Sequence, residues 1–324
     1  MEQLLQVENL KTYFKLIDGT VKAVDGVSFS VNHGEALGIA GETGSGKSVT
    51  VKSIMRNMPS YAEITADKLT LEGIDLLKLS NKELQDIWGK KIAMIFQNPT
   101  SFINPLFTIE KQMTDVICFH EKIKKAEAVK IARNMLVLVG MPDPDAVLKS
   151  YPFQLSGGMI QRIMIALSLS CNPSLLIADE PTTALDVTIQ AQIIKLLGDI
   201  KTHTSGLILI THNLAIITEI CDKVAIMYAG KMMEWGGVNQ VMKEPAHPYT
   251  QGLLAAIPRL SNESKKLEFI PGNIPSTVDP PKGCRFSPRC PYAKPVCTQE
   301  EPPMVEIAPS HFVACHCAGE GGCR

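Results

Sequence analysis

The sequence predicts an α/β fold, a mixed sheet whose buried strands end on chemically active turns, and three observations predict it. Ala36 to Ala40, Leu175 to Ala178 and Leu207 to Ile210 are short apolar runs with the length and composition of strands buried on both faces. The first two are followed by apolar residues at helical spacing: Val49, Val51, Ile54, Met55 and Met58, then Ile189, Ile193, Leu196, Leu197 and Ile200. All three end on polar residues: a glycine-rich loop, the pair Asp179-Glu180, and the pair Thr211-His212. Open α/β sheets bind ligands at the carboxyl edges of their strands, so these are the candidate functional positions.

Composition narrows the class. A chain of 324 residues, 45% of them hydrophobic, predicts a main domain with a smaller appendage and an ample core. With a net charge of −1 and a pI near 6.7, no electrostatic footprint for nucleic acid is present. No apolar run approaches the ~18 residues of a membrane span. Met1 to Gln6 lacks a basic region followed by an apolar core, so no signal peptide is expected. The expectation is a soluble cytoplasmic protein whose nine cysteines are not disulfides.

In chain order, Val7 to Phe14 and Val21 to Val31 alternate apolar and polar residues about an Asp18-Gly19 turn, which predicts an antiparallel β region. Tyr13 and Phe14 are both candidates for stacking on a base; the alternative for either is a strand aromatic buried in the core. The next loop, Gly41-Glu42-Thr43-Gly44-Ser45-Gly46-Lys47-Ser48, reads G-x-x-x-x-G-K-S. Its glycines let backbone N–H groups converge on phosphates, and the helix that continues through Val49 adds partial positive charge. Lys47 is placed to reach the terminal phosphates and the Ser48 hydroxyl to ligate Mg²⁺.

The 132 positions from Lys47 to Asp179 are too many for a minimal βαβ unit. Lys124 to Gly140 carries Ala128, Ile131, Met135, Leu138 and Val139 on one stripe, ending at Gly140 and Pro142. That predicts an inserted α-helical subdomain at about 99–153, preceded by a strand, Lys91 to Phe96, that ends on Gln97. Leu155-Ser156-Gly157-Gly158 opens the next helix, with Ser156 as N-cap and a second N-terminus shaped for an anion. Asp179 is placed to hold Mg²⁺ directly or through water, and Glu180 to orient or deprotonate an attacking water. His212 ends its strand as a candidate γ-phosphate contact. Val224 to Ala229 and Lys231 to Trp235, about Gly230, predict a closing hairpin.

The phosphate loop, Gln97, Leu155-Ser156-Gly157-Gly158, Ile177-Ala178-Asp179-Glu180, Ala184-Leu185-Asp186 and His212 stand in this order. In this order the chain resembles an ABC-type ATPase subunit from about Leu4 to Gly237. Met159 stands where that family often has Gln, and Ile160 where its peptide-importer branch usually has Arg. Neither departure touches Ser156 or the glycines, to which the phosphate contacts belong. Glu244 to Thr250, with His247-Pro248-Tyr249 at its centre, and Leu253 to Pro258 resemble the extension of dipeptide, oligopeptide and nickel importer ATPases.

The resemblance implies a P-loop NTPase core over residues 1–240 and a C-terminal extension over 241–324. It favours Phe14 on adenine and draws Mg²⁺ ligands from Ser48, Gln97 and Asp179. It implies a second ATPase subunit, identical or homologous, facing the first head-to-tail; Ser156 and Gly158 of each complete the other's site, and Asp186 communicates across the seam. Further implied partners are two membrane permeases and an extracytoplasmic binding protein, which puts the chain on the cytoplasmic face of a membrane. The competing reading is a soluble ABC ATPase acting on ribosomes or DNA; the single cassette, the lack of a basic stripe and the lack of a long coiled-coil insertion speak against it. Dipeptide, oligopeptide and nickel-complex cargo stay open.

Thirteen of the 21 prolines lie in the last 81 residues, which predicts an irregular extension. Six of the nine cysteines follow Gly283, and their spacing, C-x5-C-x6-C-x17-C, lacks the tight pairs of common structural zinc sites. Pro288, Pro291 and Pro295 are expected to keep this backbone out of helix, leaving N–H groups to bond sulfur. Members of the peptide-importer family are similar here and can carry a [4Fe–4S] cluster. Cys284, Cys290, Cys297 and Cys315 match that pattern, with Zn²⁺ as the rival and Cys317 and Cys323 as extras. Cys118, Cys171 and Cys221 are expected to be packing residues.

Overall fold

The computed structural model describes residues 3–183, 185–201, 204–257, 269–278 and 280–318. The chain divides into two compact units. One comprises Met1–Leu4, Asn32–Ala36 and Lys78–Leu209, the other Leu5–Val31, Leu37–Leu77 and Ile210–Arg324.

The second unit begins with the alternating segments, which form strands β1 (Gln3–Leu16) and β2 (Gly19–Asn32). Strand β3 (Glu35–Ala40) and helix α1 (Lys47–Ile54) follow, then three short strands, β4 (Ala62–Thr65), β5 (Lys68–Leu71) and β6 (Ile74–Asp75). An antiparallel sheet runs in the order β2-β1-β5-β6, with β4 also paired to β1. Its register puts Leu5 opposite Leu71 and Val7 opposite Leu69, so one face is apolar and buried.

The first unit holds the insert. It starts with α2 (Asn81–Ile87), closed by a Ser80–Glu83 capping box, and β7 (Ile92–Ile95). Helices α3 (Ile109–Glu121), α4 (Lys125–Leu138) and α5 (Pro144–Lys149) occupy the predicted subdomain. The buried stripe of α4 is Ala128, Ala132, Leu136 and Val139, with Ile131, Met135 and Leu138 only half-buried. Ala128 and Val139 are buried as the stripe predicts; Ala132 and Leu136 take the remaining buried positions. Helix α6 (Gly157–Leu169), strand β8 (Leu175–Asp179), helix α7 (Val187–Ile200) and strand β9 (Gly206–Ile210) complete the unit. Strands β7 and β8 are parallel, with Ile92 beside Leu175 and Ile95 beside Ala178. Every residue of β8 is buried, and each large aliphatic one contributes ~1.5–3 kcal/mol on burial.

The chain then returns to the second unit through α8 (Leu214–Ile220), β10 (Lys223–Tyr228), β11 (Lys231–Gly237), α9 (Val238–Lys243) and α10 (Pro248–Ala255). The extension ends in α11 (Pro295–Gln299), β12 (Met304–Ala308) and β13 (His311–Ala314). Strand β10 lies parallel to β3 and antiparallel to β11, so the sheet is mixed as expected. The extension is less irregular than its prolines predict: β13 pairs with β11 and carries β12 beyond it. Trp235 and Phe312 stack across that pairing at 5.1 Å. Glu234 on β11 is fully buried and satisfied: it accepts from the amides of Ala246 and His247, with His311 Nε2 at 2.8 Å. Nor do all the prolines exclude helix. Pro295 occupies the first position of α11, where a missing N–H costs nothing, and Pro288 sits in a 3₁₀ turn. No helix among the described residues is long and apolar enough to cross a membrane.

Candidate nucleotide-binding site

In the second unit, the loop between β3 and α1 depends on two glycines. Gly41 has φ +148°, and a Cβ there would lie 2.1 Å from the Met227 carbonyl oxygen; Gly46 has φ +102°, and a Cβ would lie 2.5 Å from the Ala23 oxygen. Helix α1 starts on Gly46 with no side-chain cap, so its first turn faces the loop as an anion-receptive N-terminus. Lys47 is buried and donates to the carbonyls of Gly41 at 2.7 Å and Glu42 at 3.0 Å. Its ammonium is thus held at the loop's centre. Ser45 is buried, Ser48 and Val49 are half-buried, and Thr43 and Gly44 stand in solvent at the loop's tip.

Tyr13 and Phe14 are separated by their surroundings. The Tyr13 hydroxyl donates to Asp25, whose other oxygen receives Arg285. Burial would raise the Asp25 carboxyl, but the Tyr13 hydrogen bond and the charges of Lys231 and Arg285 outweigh it and hold it below its ordinary value. Tyr13 is therefore engaged in a polar cluster, while the half-buried Phe14 ring rests 6.0 Å from that of Tyr61. His212 is exposed in the turn after β9; Asn213 beside it caps α8.

In the first unit, β8 delivers Asp179, 4% exposed, and then Glu180. Glu180 has φ 46°, a left-handed backbone that a non-glycine residue seldom adopts. Its Oε2 accepts from Gln97 Nε2 at 3.0 Å and from Thr183 Oγ1 at 2.8 Å. Gln97 follows β7, so two neighbouring parallel strands bring these groups together. The turn after Glu180 is fastened by Gln190, whose amide donates to the carbonyls of Thr182 and Leu185. Asp186 caps α7 and Ser156 caps α6, each in place as an N-cap and each exposed. Gly157 has open space where a Cβ would be, whereas one on Gly158 would touch Ile189 of α7 at 3.0 Å. Ala184 lies outside the described residues.

The cysteines converge. Cys284, Cys290, Cys297 and Cys315 line one cavity of the second unit together with Cys317, His316 and Phe286. Backbone amides of Phe286, Tyr292 and Lys294 donate to the sulfurs of Cys284, Cys290 and Cys297 respectively. Burial, opposed by the Phe286 amide and reinforced by the neighbouring thiols, pushes the Cys284 thiol up to about 11. Among the described residues, no three of His, Cys, Asp and Glu close on a single point suited to one ion. Cys323 lies outside the described residues. Cys171 and Cys221 are buried, as expected of packing residues, and Cys118 is half-buried.

Comparison with known proteins decides the family. The ABC transporter family matches residues 24–183, and the oligopeptide/dipeptide transporter C-terminal region matches residues 233–297. The dipeptide transport ATP-binding protein DppD of Bacillus subtilis is 47% identical over 97% of this chain and 95% of its own length. The chain belongs to the ABC transporter family. The oligopeptide transport ATP-binding protein OppD of Escherichia coli is 45% identical over 97% of this chain and 93% of its own. Among solved structures, the ATP-binding cassette MJ0796 bound to ADP and Pi superposes with a TM-score of 0.62 at 25% identity, covering 72% of this chain and 98% of that one. The cbiO1 subunit of Clostridium perfringens gives 0.62 at 26% identity, covering 75% and 92%.

As an ABC subunit the chain binds and hydrolyses ATP, and its sequence motifs account for most of the polar groups described above. Four were not legible as parts of a site: Thr183 on the Glu180 carboxylate, Gln190 behind it, Asp25 on Tyr13, and Arg289, which reaches Glu42 of the phosphate loop. Single Thr, Gln, Asp and Arg residues carry no local pattern. The one available signal was the position of Arg289 beside Cys290 in a segment already set apart by its cysteines.

Proposed function

We propose that this ABC subunit drives peptide uptake across a membrane by coupling ATP hydrolysis to the movement of permease partners. The observation that carries the coupling is the 3.0 Å bond from Gln97 to Glu180. Gln97 stands at the entry to the helical insert, so displacement of that insert reaches the carboxylate that prepares the attacking water. In this reading Lys47 and the loop from Gly41 to Val49 hold the phosphates, and Phe14 stacks on the adenine. Glu180 takes a proton from water as its oxygen bonds to the γ-phosphorus and the bond to the β-phosphate oxygen breaks; Thr183 fixes the carboxylate's rotamer. His212 holds a γ-phosphate oxygen. Ser48, Gln97 and Asp179 would hold Mg²⁺, which when bound would supply positive charge to the phosphates.

The uncapped first turn of α1 does not by itself supply every donor a γ-phosphate needs, and the exposed Ser156 and Gly157 at the start of α6 suit delivery to a neighbour. The working unit is therefore a head-to-tail pair with a second ATPase subunit, Asp186 lying at the seam. The pair is set on two permeases at the cytoplasmic face and is served by an extracytoplasmic binding protein. Peptide cargo is supported by the C-terminal region match and by relatives named for dipeptide and oligopeptide transport. The four thiols around one cavity, three of them receiving backbone N–H groups, suit in residue type a [4Fe–4S] cluster, with Zn²⁺ as the rival. Such a group would cross-link the proline-rich segment. Domain limits of 1–240 and 241–324 belong to the same proposal.

Reconstitution in vesicles with the permeases and binding protein tests the function. ATP hydrolysis should rise with dipeptide-loaded binding protein and accompany dipeptide entry. Stimulation by ribosomes or DNA, with none by the loaded binding protein, overturns the reading.

A further inference from the structure

Glu42 is the second residue of the phosphate loop, and its polar groups are tied in two directions. Its carbonyl accepts from Lys47 Nζ at 3.0 Å and from the Ser45 amide at 3.1 Å, both inside the loop. Its own amide donates to the Tyr249 hydroxyl at 2.9 Å, and its carboxylate receives Arg289 in a two-pronged contact, Nη1 at 2.8 Å and Nη2 at 3.2 Å. Tyr249 and Arg289 both belong to the C-terminal extension, more than 200 residues away in sequence.

Arg289 is built to hold one position. Its side chain is 6% exposed, and all five of its N–H donors are used: two on Glu42, one on the Tyr228 hydroxyl, and one each on the carbonyls of Ile270 and Pro271. Tyr249 is fully buried with its ring edge-on to Tyr228 and 5.3 Å from Phe286. A rigid fork on the carboxylate and a rigid hydroxyl on the amide determine where the Glu42 peptide lies. Its carbonyl is one of the two that hold the Lys47 ammonium. We propose that Arg289 and Tyr249 are positioning residues of the ATP site, acting through Glu42 to preset the phosphate loop, so that the extension is part of the nucleotide-binding machinery. Arg289 directly precedes Cys290, which lines the thiol cavity, so the order of that segment is transmitted to the loop through one side chain.

The proposal rests on ATP binding and is independent of cargo and of what the thiols hold. The full chain carrying Glu180→Gln, which stops hydrolysis, is titrated calorimetrically with ATP, alone and with Glu42→Gln, Arg289→Gln and the pair. Each single change should weaken ATP binding by about tenfold, the worth of one charge-assisted contact, and the pair should be no weaker than either single. Arg289→Lys, which keeps the charge and loses the fork, should fall between the parent and Arg289→Gln. In the active background KM for ATP should rise while kcat stays within about twofold. Unchanged ATP affinity, or losses that multiply in the double variant, overturns the proposal. If Arg289→Gln does not fold, Glu42→Gln and Tyr249→Phe read the same contact from its other ends, and parental affinity in both is equally decisive against it. A parent chain that fails in peptide transport while the variants show the expected losses of ATP affinity would count against the transport reading alone.

Discussion

Glu180 combines a strained backbone with a doubly fastened carboxylate. A left-handed φ at a non-glycine residue costs on the order of 1–3 kcal/mol and persists where surrounding structure over-determines it. Gln97, Thr183 and the buried β8 supply that determination. Glu180→Gln keeps the shape and removes the base. ATP affinity should therefore stay near the parent value while turnover falls by at least ~10²–10³, measured by phosphate release. Normal turnover would remove Glu180 from the mechanism. A second residue sets an acid limit. His247 is buried and accepts the Tyr249 amide on Nδ1, a role that requires the neutral ring. Burial, opposed by the charge of Glu234, lowers its pKa from the ordinary 6.5 to about 4. Because the folded value is depressed, this stability is complete above about pH 6.5 and is lost as pH falls towards 4. Urea midpoints should drop over that window by the equivalent of ~2–3 kcal/mol. His247→Asn, which keeps an N-cap without titrating there, should flatten the drop; His120, also lowered by burial, leaves a residual slope. An identical decline in parent and variant would refute the role. Of these groups, the loop residues and Glu180 were legible because spacing marks them. Thr183 and Arg289 were not, since their partners come from the folded backbone.

Among the elements, strands buried on both faces were easiest to read: β3, β8 and β9 coincide with the three apolar runs to within a residue or two. The short strands β4 to β6 and helices α2, α8 and α9 carry too few residues for a period to emerge. The stripe on α4 was right at Ala128 and Val139 and rotated between them: Ala132 and Leu136, one turn apart, are buried where Ile131, Met135 and Leu138 are only half-buried. Helix α6 shows how one residue serves an element and a proposed site together. Ser156 accepts the Met159 amide at 3.3 Å, an ordinary cap worth about 1 kcal/mol. Ser156→Asp separates the two roles. Aspartate caps as well as serine, so the thermal midpoint of the isolated chain should be unchanged or slightly raised. A carboxylate facing a γ-phosphate repels it, so ATP-dependent pairing of the Glu180→Gln chain, followed by sedimentation, should be lost. Pairing that survives this substitution would leave Ser156 as a cap and nothing more.

For the whole molecule, the extension and the phosphate loop meet the same elements. Arg285 follows Cys284 and reaches Asp25 and the Ala229 carbonyl, while Arg289 precedes Cys290 and reaches Glu42. Two of the four cysteines are therefore one peptide bond from arginines that reach the N-terminal β region and the phosphate loop. This arrangement explains why a proline-rich segment with little regular structure of its own is held by buried arginines and by the edge of a sheet. It also sets a test of what the thiols hold. Protein purified without oxygen should be brown and contain about four irons per chain, and Cys297→Ser should bleach it. Because the thiol shell and the loop share Arg289, the bleached variant should also bind ATP more weakly, and that additional loss should disappear when Glu42→Gln has already cut the link. Stoichiometric zinc without visible absorbance would replace the cluster by an ion. Iron lost with ATP affinity unchanged would keep the cluster but separate it from the loop, because the hydrogen-bonded contact of Arg289, the chain neighbour of Cys290, with Glu42 would then transmit nothing.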